Sequence, residues 1–124
     1  MQYILEVSLQ QDEQSLNNKV KGCILPWMHL FGSLGGNFYI CCHAEYTSNP
    51  KSMGTYKQSL GDIWNNENYK QARLSFLKDK IPSECIEACY NKEKQGSGSN
   101  RLQVNQRFSK NAYIQDKTNK DGSL

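Results

Sequence analysis

The chain has 124 residues, enough for one small domain and too few for a barrel-type catalytic core of roughly 200 or more. Leu, Ile, Val and Phe make 25 of the 124 residues, close to the roughly 20% edge below which chains tend not to fold unaided, so an aliphatic core alone is thin. The net charge is only +3, and no apolar run approaches the roughly 18 residues of a membrane-spanning helix, which excludes a helical membrane protein. Against the weak core stand five cysteines, and small domains with poor cores are commonly stapled by disulfides or metal.

Residues 1–21 form a polar lead. Ile4, Leu5, Val7 and Leu9 are interrupted by Glu6 and followed by Gln10, Gln11, Asp12 and Glu13. This is neither the basic start nor the long apolar run of a secretory signal. The expected setting is cytoplasmic, where thiols stay reduced and clustered cysteines bind metal or do chemistry. The odd cysteine count points the same way.

The body, residues 22–90, holds all five cysteines, both tryptophans and both histidines. Residues 27–31 read as an extended run, Gly35-Gly36-Asn37 as a turn and residues 38–42 as a second strand, together a β-hairpin. Strand alternation places Phe38, Ile40 and Cys42 on one face and Tyr39 and Cys41 on the other. Residues 47–54 form a loop around Asn49-Pro50. Ser59 is a helix N-cap, with Asp62 three residues on and Leu60, Ile63 and Trp64 on one face, Trp64 serving as a core anchor. Asn65-Asn66 break that turn and cap a second helix over residues 67–78, with Arg73, Leu74 and Leu77 along one side.

The last section, residues 91–124, reads as a basic linker or tail. It holds 7 Lys and Arg against 3 Asp and Glu, whereas residues 1–90 hold 8 against 9. Lys92, Lys94, Arg101, Arg107, Lys110, Lys117 and Lys120 make a basic set with no nucleic-acid recognition motif beside it, so a solvated tail is preferred. Gly96-Ser97-Gly98-Ser99 is a flexible joint, a short basic helix follows over residues 100–110, and residues 118–124 look disordered. The fold class is thus α+β: a small metal-stapled module, a β-hairpin followed by short helices, with a basic flexible tail.

Cys85 and Cys89 lie four positions apart, so on a helix both face one side, as two ligands of one centre require. Cys23 precedes the hairpin and Cys41 ends its second strand, so folding the hairpin onto the helices gathers four thiols. Four cysteines suit an iron-sulfur cluster or a structural zinc ion, and spacing does not choose between them. Cys42 is the expected outsider, a packed or spare thiol, and His29 and His43 are expected to be structural.

These residues fall in an order that resembles a known family. Cys23 is followed by twelve residues, Gly36, four residues and Cys41. Cys23-Ile24-Leu25-Pro26-Trp27 is similar to a Cys-x-x-Pro-Trp opening, Gly36 to Cys42 to a Gly-x-Val-Tyr-x-Cys-Cys strand, and Met53-Gly54 to a Leu-Gly-Asn turn. The stretch from Ser59 to Asn66 is similar to Ser-Leu-x-Glu-Ile-Trp-Asn-Ser, with Arg73 matching the Arg after it. Together, over roughly residues 22–108, they resemble the SPASM or, in its single-cluster form, twitch region of radical SAM proteins.

The resemblance implies a 4Fe-4S cluster bound by Cys23, Cys41, Cys85 and Cys89. It further implies an accessory role, electron transfer or substrate positioning, beside a radical SAM catalytic domain or protein that modifies a peptide or other substrate. The chain departs from the family in having three rather than two residues between Cys85 and Cys89. It also lacks the catalytic Cys-x3-Cys-x2-Cys motif, since Lys92 stands where the third thiol belongs. It reads as an accessory module or the leading part of a larger enzyme. The alternative is a zinc-stapled binding module whose basic tail contacts nucleic acid or an acidic protein.

Overall fold

A computed structural model describes residues 20–124, so the polar lead lies, up to residue 19, outside the described residues. The first element follows from Pro26, whose fixed φ suits the opening of a helical turn. Leu25–Trp27 is one 3-10 turn with all three residues buried. That turn cuts short the extended run expected over residues 27–31, and the chain rejoins an extended path only at β1, Phe31–Gly32.

β2, Asn37–Tyr39, pairs antiparallel with β1, Phe31 opposite Tyr39 and Gly32 opposite Phe38. The hairpin is therefore present. Gly36 closes it with φ 86°, a left-handed value that glycine accepts at no steric cost. A third strand, β3, Gly54–Thr55, pairs antiparallel with the other edge of β2, where the sequence suggests only a turn. Strands this short have no stability of their own and depend on the helices packed against them.

α1, Leu60–Trp64, and α2, Glu67–Leu77, form with the expected caps. The Asp62 N–H donates to Ser59 Oγ at 3.1 Å and the Tyr69 N–H to Asn66 Oδ1 at 3.0 Å. α1 is too short to bury a stripe: Ile63 is fully buried while Leu60 is 58% exposed. Trp64 packs half-buried against the core. α2 buries Tyr69, Ala72, Arg73 and Phe76, a helical stripe that shares only Arg73 with the expected one. Leu74 and Leu77 flank it, half-buried.

After α2 the chain enters α3, Ser83–Cys85, a π-helical turn, Ile86–Tyr90, and α4, Asn91–Lys94. α5, Asn100–Arg107, starts at Ser99, whose Oγ accepts the Leu102 N–H, and α6 spans Tyr113–Asp116. The class is α+β, a three-stranded antiparallel sheet with helices.

The disorder expected over residues 118–124 is not found. Trp27 Nε1 donates to Thr118 Oγ1 at 2.7 Å, Arg73 Nη1 to the Gly122 carbonyl at 3.1 Å, and the Leu124 N–H to Asn65 Oδ1 at 2.9 Å. The polar composition that suggests a loose tail is used here for hydrogen bonds to the body.

Candidate metal centre

Cys23 precedes the 3-10 turn at Leu25–Trp27, Cys41 follows β2, and Cys85 and Cys89 lie on α3 and the π-helical turn. All four line one cavity, together with Phe76 of α2 and Arg101 of α5. Cys23, Cys41 and Cys89 are buried, Cys85 is partly buried and Cys42 is exposed; none forms a disulfide.

Each cysteine is positioned locally. Gly22 has φ 67°, and a Cβ there would overlap the Phe76 ring, so the chain before Cys23 lies directly on α2. Two side-chain amides hold the same segment like a paired strand. Asn105 donates to the Gly22 carbonyl at 2.8 Å and accepts the Ile24 N–H at 3.0 Å, while Gln115 exchanges hydrogen bonds with both backbone groups of Lys21.

Cys41 sits where β2 has ended and the chain bends into the 3-10 turn at Ala44–Tyr46. Ile40 and Cys41 are both buried. The alternation expected to separate Cys41 from Cys42 therefore stops at Tyr39, and the bend, not the pleat, leaves Cys42 outside.

Cys85 and Cys89 are not on a plain α-helix. The π-helical turn has i to i+5 hydrogen bonds and so takes up an extra residue, a geometry frequent at functional sites. This is where the chain carries one residue more between its thiols than the family pattern, and both thiols still face the cavity.

Burial, first, pushes the Cys23 thiol up to about 12, with the nearby Cys41 and Cys89 adding to it. Burial likewise raises Cys41, Cys85 and Cys89. Backbone N–H groups oppose this: Leu25 at Cys23, Ala44 and His43 at Cys41, and Arg101 and Asn100, the first residues of α5, at Cys89. Bare, the site is a cluster of neutral, desolvated thiols with N–H donors already aimed at the sulfurs. A cationic centre reverses that preference, because coordinating thiols give up their protons to it.

An all-thiol donor set with fixed N–H groups at the sulfurs fits soft-metal and iron-sulfur ligation. Among the described residues no three His, Cys, Asp or Glu side chains are grouped tightly enough to hold a single metal ion. Neither histidine lines the cavity: Tyr69 hydroxyl donates to the His29 carbonyl, and His43 lines a separate surface cleft with Glu87 and Lys92.

Asn100 and Arg101 belong to this wall, although the sequence assigns them to a solvated basic tail. Of the seven basic residues in that stretch, six are exposed and Arg101 alone is half-buried. The signal that could have found it is Ser99, an N-cap that starts a helix just after the Gly-Ser joint and sets its first turn against the cysteines.

Fold and site together define a small α+β domain in which four cysteines line one cavity. The sequence model of the SPASM family, an iron-sulfur cluster-binding domain, matches residues 23–91, more than half of the chain. The chain belongs to this family and is an iron-sulfur cluster-binding domain. Neither a curated protein nor a solved structure gives a significant match. Among the described residues no helix is long and apolar enough to cross a membrane.

Proposed function

We propose that the chain is an auxiliary-cluster module of a radical SAM enzyme, holding a 4Fe-4S cluster through Cys23, Cys41, Cys85 and Cys89. The observation that supports this most is that these four thiols line one cavity while the fifth, Cys42, is exposed. A four-cysteine set is the ordinary ligation of such clusters. When bound, the cluster supplies one-electron transfer or a fixed anchor for substrate. The chain's own residues do the rest: Phe76, Leu25 and Ile40 exclude water, and the N–H groups of Leu25, Ala44 and Asn100 stabilise thiolate charge.

With no Cys-x3-Cys-x2-Cys motif in the sequence, the catalytic partner in this reading is a separate radical SAM domain or protein, and the substrate a peptide. Free thiols suit a reducing compartment such as the cytoplasm. Anaerobic reconstitution of single-cysteine variants tests the ligand set. Cys23→Ala, Cys41→Ala, Cys85→Ala and Cys89→Ala each lose bound iron and sulfide, and Cys42→Ala keeps both. Equal loss in Cys42→Ala refutes the assignment, and uptake of zinc without sulfide replaces the cluster by a structural zinc ion.

A further inference from the structure

We propose that Arg101 sets the redox poise of the cluster, raising its midpoint potential by placing a cation in the cavity wall; this rests on the cluster reading above. Arg101 lines the cavity with the four thiols, and its side chain is 20% exposed. It is held on three sides. Nη2 donates to Glu93 Oε1 at 2.7 Å, Nη1 to the Gly22 carbonyl at 2.8 Å, and the guanidinium lies 4.3 Å from the centre of the Tyr90 ring. Gly22 and Tyr90 are the immediate neighbours of Cys23 and Cys89, so the side chain is tied to the two segments that carry those thiols.

One nitrogen is left without any partner. Among the described residues Arg101 Nε is the one buried side-chain nitrogen or oxygen without a hydrogen-bond partner. An unpartnered buried N–H on a charged group is costly, and proteins seldom leave one without a reason. Here the group without a partner belongs to a side chain that lines the cavity and carries its charge close to Cys23 and Cys89. A structural clamp would need only the two terminal nitrogens and the ring contact. The free Nε and the cation beside it are what a negatively charged ligand in the cavity would use.

The electrostatics have a definite sign. Each electron accepted from an external one-electron donor adds one negative charge to the site, with no bond made or broken. A cation in a desolvated wall favours the more negative state, and hydrogen bonds and net charge near the sulfurs are the established levers on cluster potential. Glu93 works against Arg101, since its carboxylate is paired to the same guanidinium and is itself 16% exposed. Ser99 Oγ donates to the other carboxylate oxygen at 2.6 Å and holds it there. The two side chains therefore predict opposite shifts when neutralised.

The test is a potentiometric titration at an electrode, followed by electron paramagnetic resonance, on the full chain loaded anaerobically with ferrous iron and sulfide. Iron and sulfide content is measured on the same samples. Arg101→Gln is expected to move the midpoint to more negative potential, Arg101→Lys to move it less, and Glu93→Gln to move it to more positive potential. A parent chain that loads no cluster overturns the cluster reading and this inference with it. A parent that loads, with an unmoved or more positive midpoint in Arg101→Gln, overturns the role of Arg101 alone. If Arg101→Gln holds no cluster, Glu93→Gln decides: an unmoved or more negative midpoint contradicts the inference.

Discussion

Two arginines, one fully buried and one half-buried, divide the molecule into a finished region and an unfinished one. Arg73, fully buried on α2, has partners throughout: Nε donates to the Pro26 carbonyl at 2.9 Å, Nη2 to the Trp64 carbonyl at 2.6 Å, and Nη1 to Asn65 Oδ1 and the Gly122 carbonyl, with the Trp64 ring 4.5 Å away. Burial lowers its pKa to about 10, and among the described residues no buried side-chain nitrogen or oxygen around it lacks a partner. Arg101 keeps an unpartnered Nε and stands in the wall of a cavity lined by four thiols that burial holds neutral. The first arrangement is a structural knot. The second leaves a polar group that a bound ligand would complete.

The sharpest way to break the contrast is to remove the knot. Arg73→Met leaves the Pro26, Trp64 and Gly122 carbonyls without this donor, while Asn65 Oδ1 keeps the Leu124 N–H, and is expected to cost about 3–5 kcal/mol, a large part of the roughly 5–15 kcal/mol of a typical domain. Urea denaturation of the unloaded chain measures it, and a cost below about 1 kcal/mol would contradict a structural role. Cys23→Ala should behave oppositely. It is expected to shift unloaded stability by only about 1–2 kcal/mol, while abolishing the extra stability that iron and sulfide confer on the parent.

Smaller changes sharpen the boundary between the two regions. Asn105→Ala releases the backbone on both sides of Cys23 and is expected to cost about 1–2 kcal/mol and to weaken cluster retention, read as faster iron release to a chelator. Asn66→Ala removes the α2 cap far from the thiols, so it should cost about 1 kcal/mol and leave iron release unchanged. Equal release rates for the two variants would erase the distinction.

The smallest effect is at Asp121. Hydrogen bonds from Ser123, then Lys70, lower its carboxyl from 3.8 to about 2. The charged form is favoured in the folded chain, so its contribution is present above about pH 4 and is lost as pH falls through about 2. A carbon-detected titration should place Asp121 well below the ordinary aspartate range, and an ordinary value would show that residues 121–123 are not held.

What the sequence made legible was local. Ser59 and Asn66 read as caps because a cap needs only its own side chain and an N–H three residues on. The hairpin followed from Gly36, whereas Cys42 was set apart from the other cysteines on a strand alternation that ends at Tyr39. The parts that were not legible depend on partners far along the chain. Asn105 and Gln115 bond to backbone 81 to 94 residues away, and no composition rule distinguishes those amides from the other polar residues of an apparent tail. β3 was hidden for the same reason: two residues, one of them a glycine, carry no pattern until β2 supplies the edge. The π-helical turn was hidden because a Cys-x3-Cys spacing also fits an ordinary helix. Arg101 was misread through charge, which reports how many basic residues a stretch has and not which of them turns inward.

In the proposed function the unfinished region is completed by an iron-sulfur cluster on four thiolates. Mössbauer spectroscopy of the full chain after anaerobic reconstitution with iron-57 and sulfide tests it most directly, with sulfide analysis on the same sample. The account predicts equal iron and sulfide, a diamagnetic oxidised 4Fe-4S spectrum in the parent and in Cys42→Ala, and its loss in Cys89→Ala. Iron bound without sulfide, or the same cluster spectrum in Cys89→Ala, would contradict it.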